Sequence, residues 1–200
     1  MELYKKIESL VYKESNKKYS IKVFRTYYPK RYKINLLDKK IRDEIYDFKN
    51  GISFEKFLIE IRDWLVEEYG DYQLKNVIFL PIPASNKKMN QKRYKKFCEI
   101  LCKDLKIENG YEYVSIKNNF PNHLKSNIKD KKYEFILEED KLRRRHVIVF
   151  DDILTSGKTF YSLAGNLELL NCKIRLAIFL ARTVKQDDYN EEYFIIYKNK

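Results

Sequence analysis

The residues best suited to chemistry lie in "VIVFDDILTSGKT", Val147 to Thr159. An apolar run, Val147–Phe150, ends in two adjacent carboxylates, Asp151 and Asp152. A short turn follows that carries Thr155, Ser156, Gly157, Lys158 and Thr159. Hydroxyl groups, a glycine and the backbone N–H groups of a helix start form a cradle for an anion. Gly157 lets the backbone approach closely, and Thr155, Ser156 and Thr159 add donors. Two carboxylates beside an anion cradle are explained by a ligand with both a monophosphate and a diol. Ribose 5-phosphate is such a ligand. The turn takes the phosphate, and the acids accept hydrogen bonds from the 2- and 3-hydroxyls, directly or through Mg2+.

Two other readings compete. "GKT" invites a nucleotide-binding P-loop, but that motif needs glycine where Asp152 stands, and a carboxylate inside the cradle opposes it. Acids and hydroxyls also cap helices. A cap needs one acid, however, and here two follow a buried strand.

These residues need elements to position them. "NVIFLPIP", "HVIVF" and "CKIRLAIFLAR" are continuous apolar runs, whereas a half-exposed strand alternates. Helical spacing separates them: Phe97, Ile100, Leu101 and Leu105 in one segment, Phe160, Leu163, Leu167 and Leu170 in another. "YEYVSI" and "YFIIY" add two more strands. Strand and helix in alternation, with strands apolar on both faces, predict an α/β fold: a parallel sheet flanked by helices. Ligands of such sheets bind at the carboxyl ends of the strands, where Asp151 and Asp152 fall.

The first 75 residues read as a mainly helical extension packed on a core of residues 76–200. Asp38 caps a helix with Ile41, Ile45 and Phe48 on one face, ended by Asn50–Gly51; Ser53 caps the next, with Phe54, Phe57, Leu58, Ile61 and Leu65 inward and Trp64 beside them. Ahead of both, "YSIKVFRTYYPKRYK" reads as an edge strand and loop whose tyrosines cover a core, with base stacking as the alternative. Residues 118–132 are polar, basic and without period, which marks a long loop of a kind often functional.

Lys plus Arg is 41 against 29 Asp plus Glu, a net charge of +12, which permits a nucleic-acid or polyphosphate partner. Enrichment in Lys, Asn, Ile, Tyr and Phe also fits AT-rich codon usage, so charge alone selects nothing. The densest basic cluster is Lys92, Arg93, Lys95 and Lys96. Cys98, Cys102 and Cys172 show no Cys-x-x-Cys pair and read as core thiols, neither a disulfide framework nor a zinc site. His123 and His146 read as structural. With no signal peptide and no run of roughly 18 apolar residues, a soluble cytoplasmic protein is expected. A homodimer is left open.

"VIVFDDILTSGKT" resembles the signature of type I phosphoribosyltransferases: an apolar strand, two acids, a Thr/Ser/Gly turn and a final Thr. Other segments resemble the ComF-like (competence-protein-F-like) branch. "LPIPASNKKMNQKRYKKF" matches a "PVP"-like strand end and basic helix, "KSNIKDKKYEF" a basic-Asn-aromatic loop, "IRDEIYDFKNG" the preceding helix, and "FLART" a terminal element. The likeness spans about 76–183 and is fainter over 38–75.

The resemblance implies a site for phosphoribosyl diphosphate (PRPP) with Mg2+ and a nucleobase or amine acceptor. Asp151 and Asp152 would bind the ribose, with Mg2+ beside them, and Thr155, Ser156, Gly157, Lys158 and Thr159 the 5-phosphate. Ala84, Ser85, Asn86 and Lys87 would meet the pyrophosphate. The loop 118–132 would be the lid, with Lys125 and Lys132 reaching in. The implied activity is transfer of ribose 5-phosphate to a nitrogen nucleophile. The alternative is a non-catalytic module that binds PRPP or another ribose-phosphate in nucleic-acid uptake or processing. Three departures stand out. The cysteine-rich zinc module of many ComF relatives is missing from this chain, Lys158 stands where small residues are common, and the "RGFNQ" element appears as "KRYKK", with Arg93 in place of glycine.

Overall fold

The computed structural model describes residues 8–12, 17–117 and 134–184. Its centre is a six-stranded sheet. In chain order the strands are β1 (Glu8–Tyr12), β2 (Lys17–Tyr27), β3 (Val77–Pro81), β4 (Glu108–Asn109), β7 (His146–Leu154) and β8 (Lys173–Thr183). They lie side by side as β1-β2-β8-β7-β3-β4. The last five are parallel, and β1 pairs antiparallel with β2. The expected α/β architecture, a parallel sheet flanked by helices, is the observed one.

The apolar runs are continuous because both faces are covered. Phe79, Ile148, Phe150, Leu176 and Ile178 point to one side. There they meet α1 (Leu36–Lys49), α2 (Glu55–Leu74) and α4 (Lys96–Leu105) through Phe48, Ile61, Leu65, Phe97 and Leu101. Ile78, Leu80, Val147, Val149, Ala177 and Phe179 point to the other, onto Phe160, Leu163, Ala164 and Leu167 of α6 (Lys158–Leu169). Aromatic rings dominate the first side. Phe97 stacks on Phe150 at 5.0 Å, and Phe48 meets both edge-on.

The segment before residue 76 is less purely helical than expected. Its strand β2 lies inside the sheet, hydrogen-bonded to β8, so residues 1–75 and 76–200 share one sheet. The physical reason is β8: a strand buried on both faces needs a paired neighbour at each edge, and β2 supplies the second. The aromatic segment behaves as a structural cover: Phe24 enters the core, and Tyr28 and Tyr32 pack with Val184.

Helix starts also differ from expectation. The N-cap of α1 is Asn35, whose Oδ1 accepts from the Asp38 N–H at 2.8 Å; Asp38 lies in the first turn. A cap acceptor binds an N–H two or three residues on, and Asn35 is the acceptor that precedes the first turn. α2 starts at Phe54 without a side-chain cap, and Glu55 instead accepts from the Phe54 N–H. The helical faces themselves match: Ile45, Phe48, Phe57, Leu58, Ile61 and Leu65 are buried, and Trp64 sets its ring edge-on to Phe24.

Between β3 and β4 the chain runs through α3 (Lys87–Asn90), a π-helical turn (Gln91–Lys95) and α4. A two-stranded antiparallel ribbon, β5 (Val114–Ile116) with β6 (Phe135–Leu137), precedes the short α5 (Glu139–Leu142). "YEYVSI" is a strand only over its second half. The expected lid, 118–132 with Lys125, Lys132 and His123, lies outside the described residues, as does "YFIIY". Cys98, Cys102 and Cys172 are buried and unpaired, and burial raises their thiols, Cys98 well above its usual range, Cys102 to about 12 and Cys172 to about 11. They are core thiols.

Candidate sugar-phosphate site

The topology creates a crevice. From β3 the chain crosses to β4 over one face of the sheet, and from β7 it crosses to β8 over the other. The two connections diverge, and the gap opens at the carboxyl ends of β3 and β7. Open α/β sheets bind ligands at such a switch point. A cleft of about 260 Å³ lies there, lined in part by Ala84, Ser85, Arg93, Tyr94, Asp151, Asp152 and Thr159.

Strand β7 continues through both acids to Leu154, so their backbones are fixed by the sheet. Asp152 is buried and Asp151 partly so. The Asp152 N–H donates to Asp151 Oδ1 at 2.8 Å, and the Tyr94 hydroxyl donates to the same oxygen at 3.0 Å. Arg93 Nη1 lies 2.7 Å from Asp152 Oδ2. The contact is an ion pair and not an aligned hydrogen bond, since Oδ2 has no donor on the line of its N–H. The Arg93 Nε–H donates to the Lys49 carbonyl at 3.0 Å.

Local structure places Arg93 there. It sits in the π-helical turn, a geometry found often at functional sites. The turn after α1 abuts it: a Cβ on Gly51 would lie 2.5 Å from the Lys92 carbonyl oxygen, and Gly51 has φ +66°. Only glycine fits that approach. The approach brings the last carbonyls of α1, its negative end, to the guanidinium.

Burial, and then the charge of Asp152, push the Asp151 carboxyl up to about 8. Hydrogen bonds from the Asp152 N–H and Tyr94 offset only part of that. Burial, followed by the two carboxylates, raises the Tyr94 hydroxyl well above its usual range, so it remains a donor. The raised Asp151 carboxyl thus lies next to a single guanidinium, that of Arg93.

The phosphate turn is open. Thr155, Ser156 and Lys158 are exposed, and Gly157 adopts φ +74°. Gly157 is the N-cap of α6 and no side chain caps it. The cap-only reading of the two acids thus fails: neither carboxylate serves the helix. Opposite, Asn86 caps α3 by accepting from the Met89 N–H at 2.8 Å, and Asn90 accepts from the Ala84 N–H at 2.9 Å. Ser85, Asn86 and Lys87 are exposed. Asn86 and Lys87 line a neighbouring hollow of about 510 Å³, with Lys95, Tyr111 and Glu112.

Of the residues expected at the site, Asp151, Asp152, Thr159, Ala84 and Ser85 share the cleft. Thr155 to Lys158 form its continuation in sequence, and Asn86 and Lys87 face the adjoining hollow. His146 lies at the opposite, amino end of β7, beside Arg175 at 3.2 Å. Two cleft residues, Arg93 and Tyr94, were not expected as partners of the acids. For Arg93 the signal was its place inside the basic run "KRYKK"; nothing in the spacing marked Tyr94.

The donor set does not fit a protein-held Mg2+. The Arg93 guanidinium already stands at ion-pair distance from Asp152 Oδ2, where a metal would have to bind. Among the described residues no cluster of three acidic, histidine or cysteine side chains could hold a metal. Nor is any described helix long and apolar enough to cross a membrane.

No family model matches the chain, and no curated protein matches it. Among solved structures it is similar to a purine phosphoribosyltransferase from Pyrococcus horikoshii Ot3, at 13% sequence identity and a TM-score of 0.39, over 66% of this chain and 82% of that one.

Proposed function

We propose that the chain binds PRPP and transfers its ribose 5-phosphate to a nitrogen nucleophile, a nucleobase or an amine, with release of pyrophosphate. The observation that carries this reading is a convergence. Asp151 and Asp152 near the carboxyl end of β7, Thr159 at the start of α6 and Ala84–Ser85 after β3 meet at one crevice. In this reading the turn, Thr155 to Thr159, holds the 5-phosphate with N–H and O–H donors. Asp151 and Asp152 face the sugar hydroxyls. Ala84 to Lys87 meet the pyrophosphate. Transfer passes through an oxocarbenium-like transition state, as in glycoside chemistry. The chain contributes position and fixed charge: it aligns donor and acceptor and stabilises the departing diphosphate. Segment 118–132, with Lys125 and Lys132, is proposed as the lid that excludes water. The ComF-like assignment rests on the sequence elements quoted above.

A second reading is binding without transfer, for a role in nucleic-acid uptake or processing. The Arg93–Asp152 ion pair favours it, because a sugar hydroxyl must share Asp152 with a resident cation. One experiment separates the two. The protein is incubated with PRPP, with and without Mg2+, and a panel of bases, amines and single-stranded DNA. Acceptor-dependent pyrophosphate supports the transferase. PRPP binding with no pyrophosphate from any acceptor supports the binding module. Failure to bind PRPP removes the transferase, and failure to bind ribose 5-phosphate as well removes the binding module.

A further inference from the structure

Arg93 differs from the other basic residues of its helix. Lys87, Lys88, Lys92, Lys95 and Lys96 are exposed, whereas the Arg93 side chain is 11% exposed and Asp152 opposite it 6%. The guanidinium is held from two separate elements: the Asp152 carboxylate of β7 and the carbonyl of Lys49 at the end of α1. Its backbone is fixed by the π-helical turn and by the contact of Gly51 with Lys92. So the arginine is not a surface side chain that happens to reach an acid. It is built in from three sides, and it lines the crevice together with Ser85 and Thr159.

A guanidinium bridging a carboxylate and a carbonyl brings positive charge to hard oxygen ligands, as a divalent ion would. A second cation at Asp152 would meet like charge at ion-pair distance. We propose that Arg93 is the resident cation of the carboxylate pair: the pair takes up no divalent metal, and the site receives a ribose-phosphate without one. The ligand half of this statement rests on the function proposed above. The metal half stands on the geometry of Arg93 alone.

The test uses the whole chain. Melting curves are recorded in MgCl2 and in NaCl of equal ionic strength, for wild type, Arg93→Gly, Arg93→Gln, Asp152→Asn and the double variant Arg93→Gly with Asp152→Asn. Expected results are no Mg2+ effect in wild type, a lower melting temperature in Arg93→Gly, and a rise of several degrees on adding Mg2+ to that variant, because a ligand of the folded state alone raises its stability. The double variant loses the Mg2+ response. A wild-type response abolished by Asp152→Asn, or an Arg93→Gly variant that folds and ignores Mg2+, overturns the proposal. Should Arg93→Gly not fold, Arg93→Gln is read by the same criterion. Mn2+ binding to wild type, followed by electron paramagnetic resonance, needs no Arg93 variant. No bound ion supports the proposal, and a bound ion lost in Asp152→Asn overturns it. A ligand arm titrates ribose 5-phosphate into wild type by calorimetry, in EDTA and in Mg2+. Equal affinities support metal-independent binding, and binding only in Mg2+ overturns it. No binding in either buffer removes the ribose-phosphate reading, while the melting curves still decide the role of Arg93.

Discussion

The Tyr94 hydroxyl lies 3.0 Å from Asp151 Oδ1, and the Tyr94 ring is wholly buried between Phe48 and Phe150. The aromatic core beneath the sheet thus ends in a hydrogen-bond donor aimed at one acid of the candidate site. Removing the hydroxyl by Tyr94→Phe keeps the ring packing and deletes the bond. A net loss of about 1 kcal/mol of stability is expected. The Asp151 carboxyl should also rise further, since a donor to its charged form is gone. Urea denaturation and a carboxyl NMR titration check the two effects; an unmoved Asp151 would break the link.

Asp151 sets a pH dependence. Its carboxyl titrates at about 8 when folded, against 3.8 as the ordinary value. In the unfolded chain it loses its proton first. Its contribution to stability is therefore present in full below about 3.8 and is lost as pH rises toward 8. Asp151→Asn resembles the neutral acid: its Oδ1 can still accept from Tyr94 and from the residue 152 N–H. The variant should be more stable than wild type near pH 7, and its stability should fall less between those two pH values. Denaturant midpoints across the range measure this, and a slope equal to that of wild type would refute it.

Asp152→Asn should behave in the opposite way. It leaves the Arg93 guanidinium buried without its counter-charge. Breaking one partner of a buried pair costs roughly 3–5 kcal/mol. A double-mutant cycle with Arg93→Gln should show positive coupling, the double variant being less destabilised than the sum of the singles. Additive losses would mean that the ion pair contributes nothing. The sequence alone leads to a different expectation: that asparagine at both positions leaves the fold intact and weakens only PRPP, by tenfold or more. Arg93 changes that for residue 152.

The phosphate turn has its own signature. Thr155→Ala and Thr159→Ala should weaken ribose 5-phosphate and PRPP by the same factor, roughly two- to tenfold each, because both ligands carry that phosphate. Calorimetry with the two ligands in parallel measures the factors. A change confined to PRPP would place the diphosphate, and not the 5-phosphate, on this turn.

Nucleic-acid binding, if it occurs, should fall steeply with salt. The basic cluster is smaller than the sequence indicates, for Arg93 is turned inward onto Asp152. Lys92, Lys95 and Lys96 are exposed. Replacing those three with Gln should reduce the salt slope by about one for each lost phosphate contact. A filter-binding series over salt tests it, and an unchanged slope would exclude this face.

What the sequence determined by itself is local. A continuous apolar run followed by two acids, a glycine turn and a helix was legible as strand, turn and helix, because Val147–Thr159 are neighbours in the chain and their roles follow from spacing. The inward faces of α2, α4 and α6 were legible for the same reason. Caps were less so: Asn35 and Asp38 both suit the start of α1, and only the backbone's actual entry into the helix chooses between them. The tertiary structure decided the rest. Asp152 and Arg93 are distant in sequence, as are Arg93 and Lys49, and no periodicity encodes such a meeting. It depends on β3 and β7 pairing side by side, on α1 packing against one face of the sheet so that its last carbonyls reach Arg93, and on the π-helical turn that carries Arg93. The charge of the acid pair follows from the same packing. A carboxyl titrates by its surroundings: the burial and the neighbouring acid that raise Asp151 to about 8, and the tyrosine that offsets part of the rise, exist only once the chain has folded.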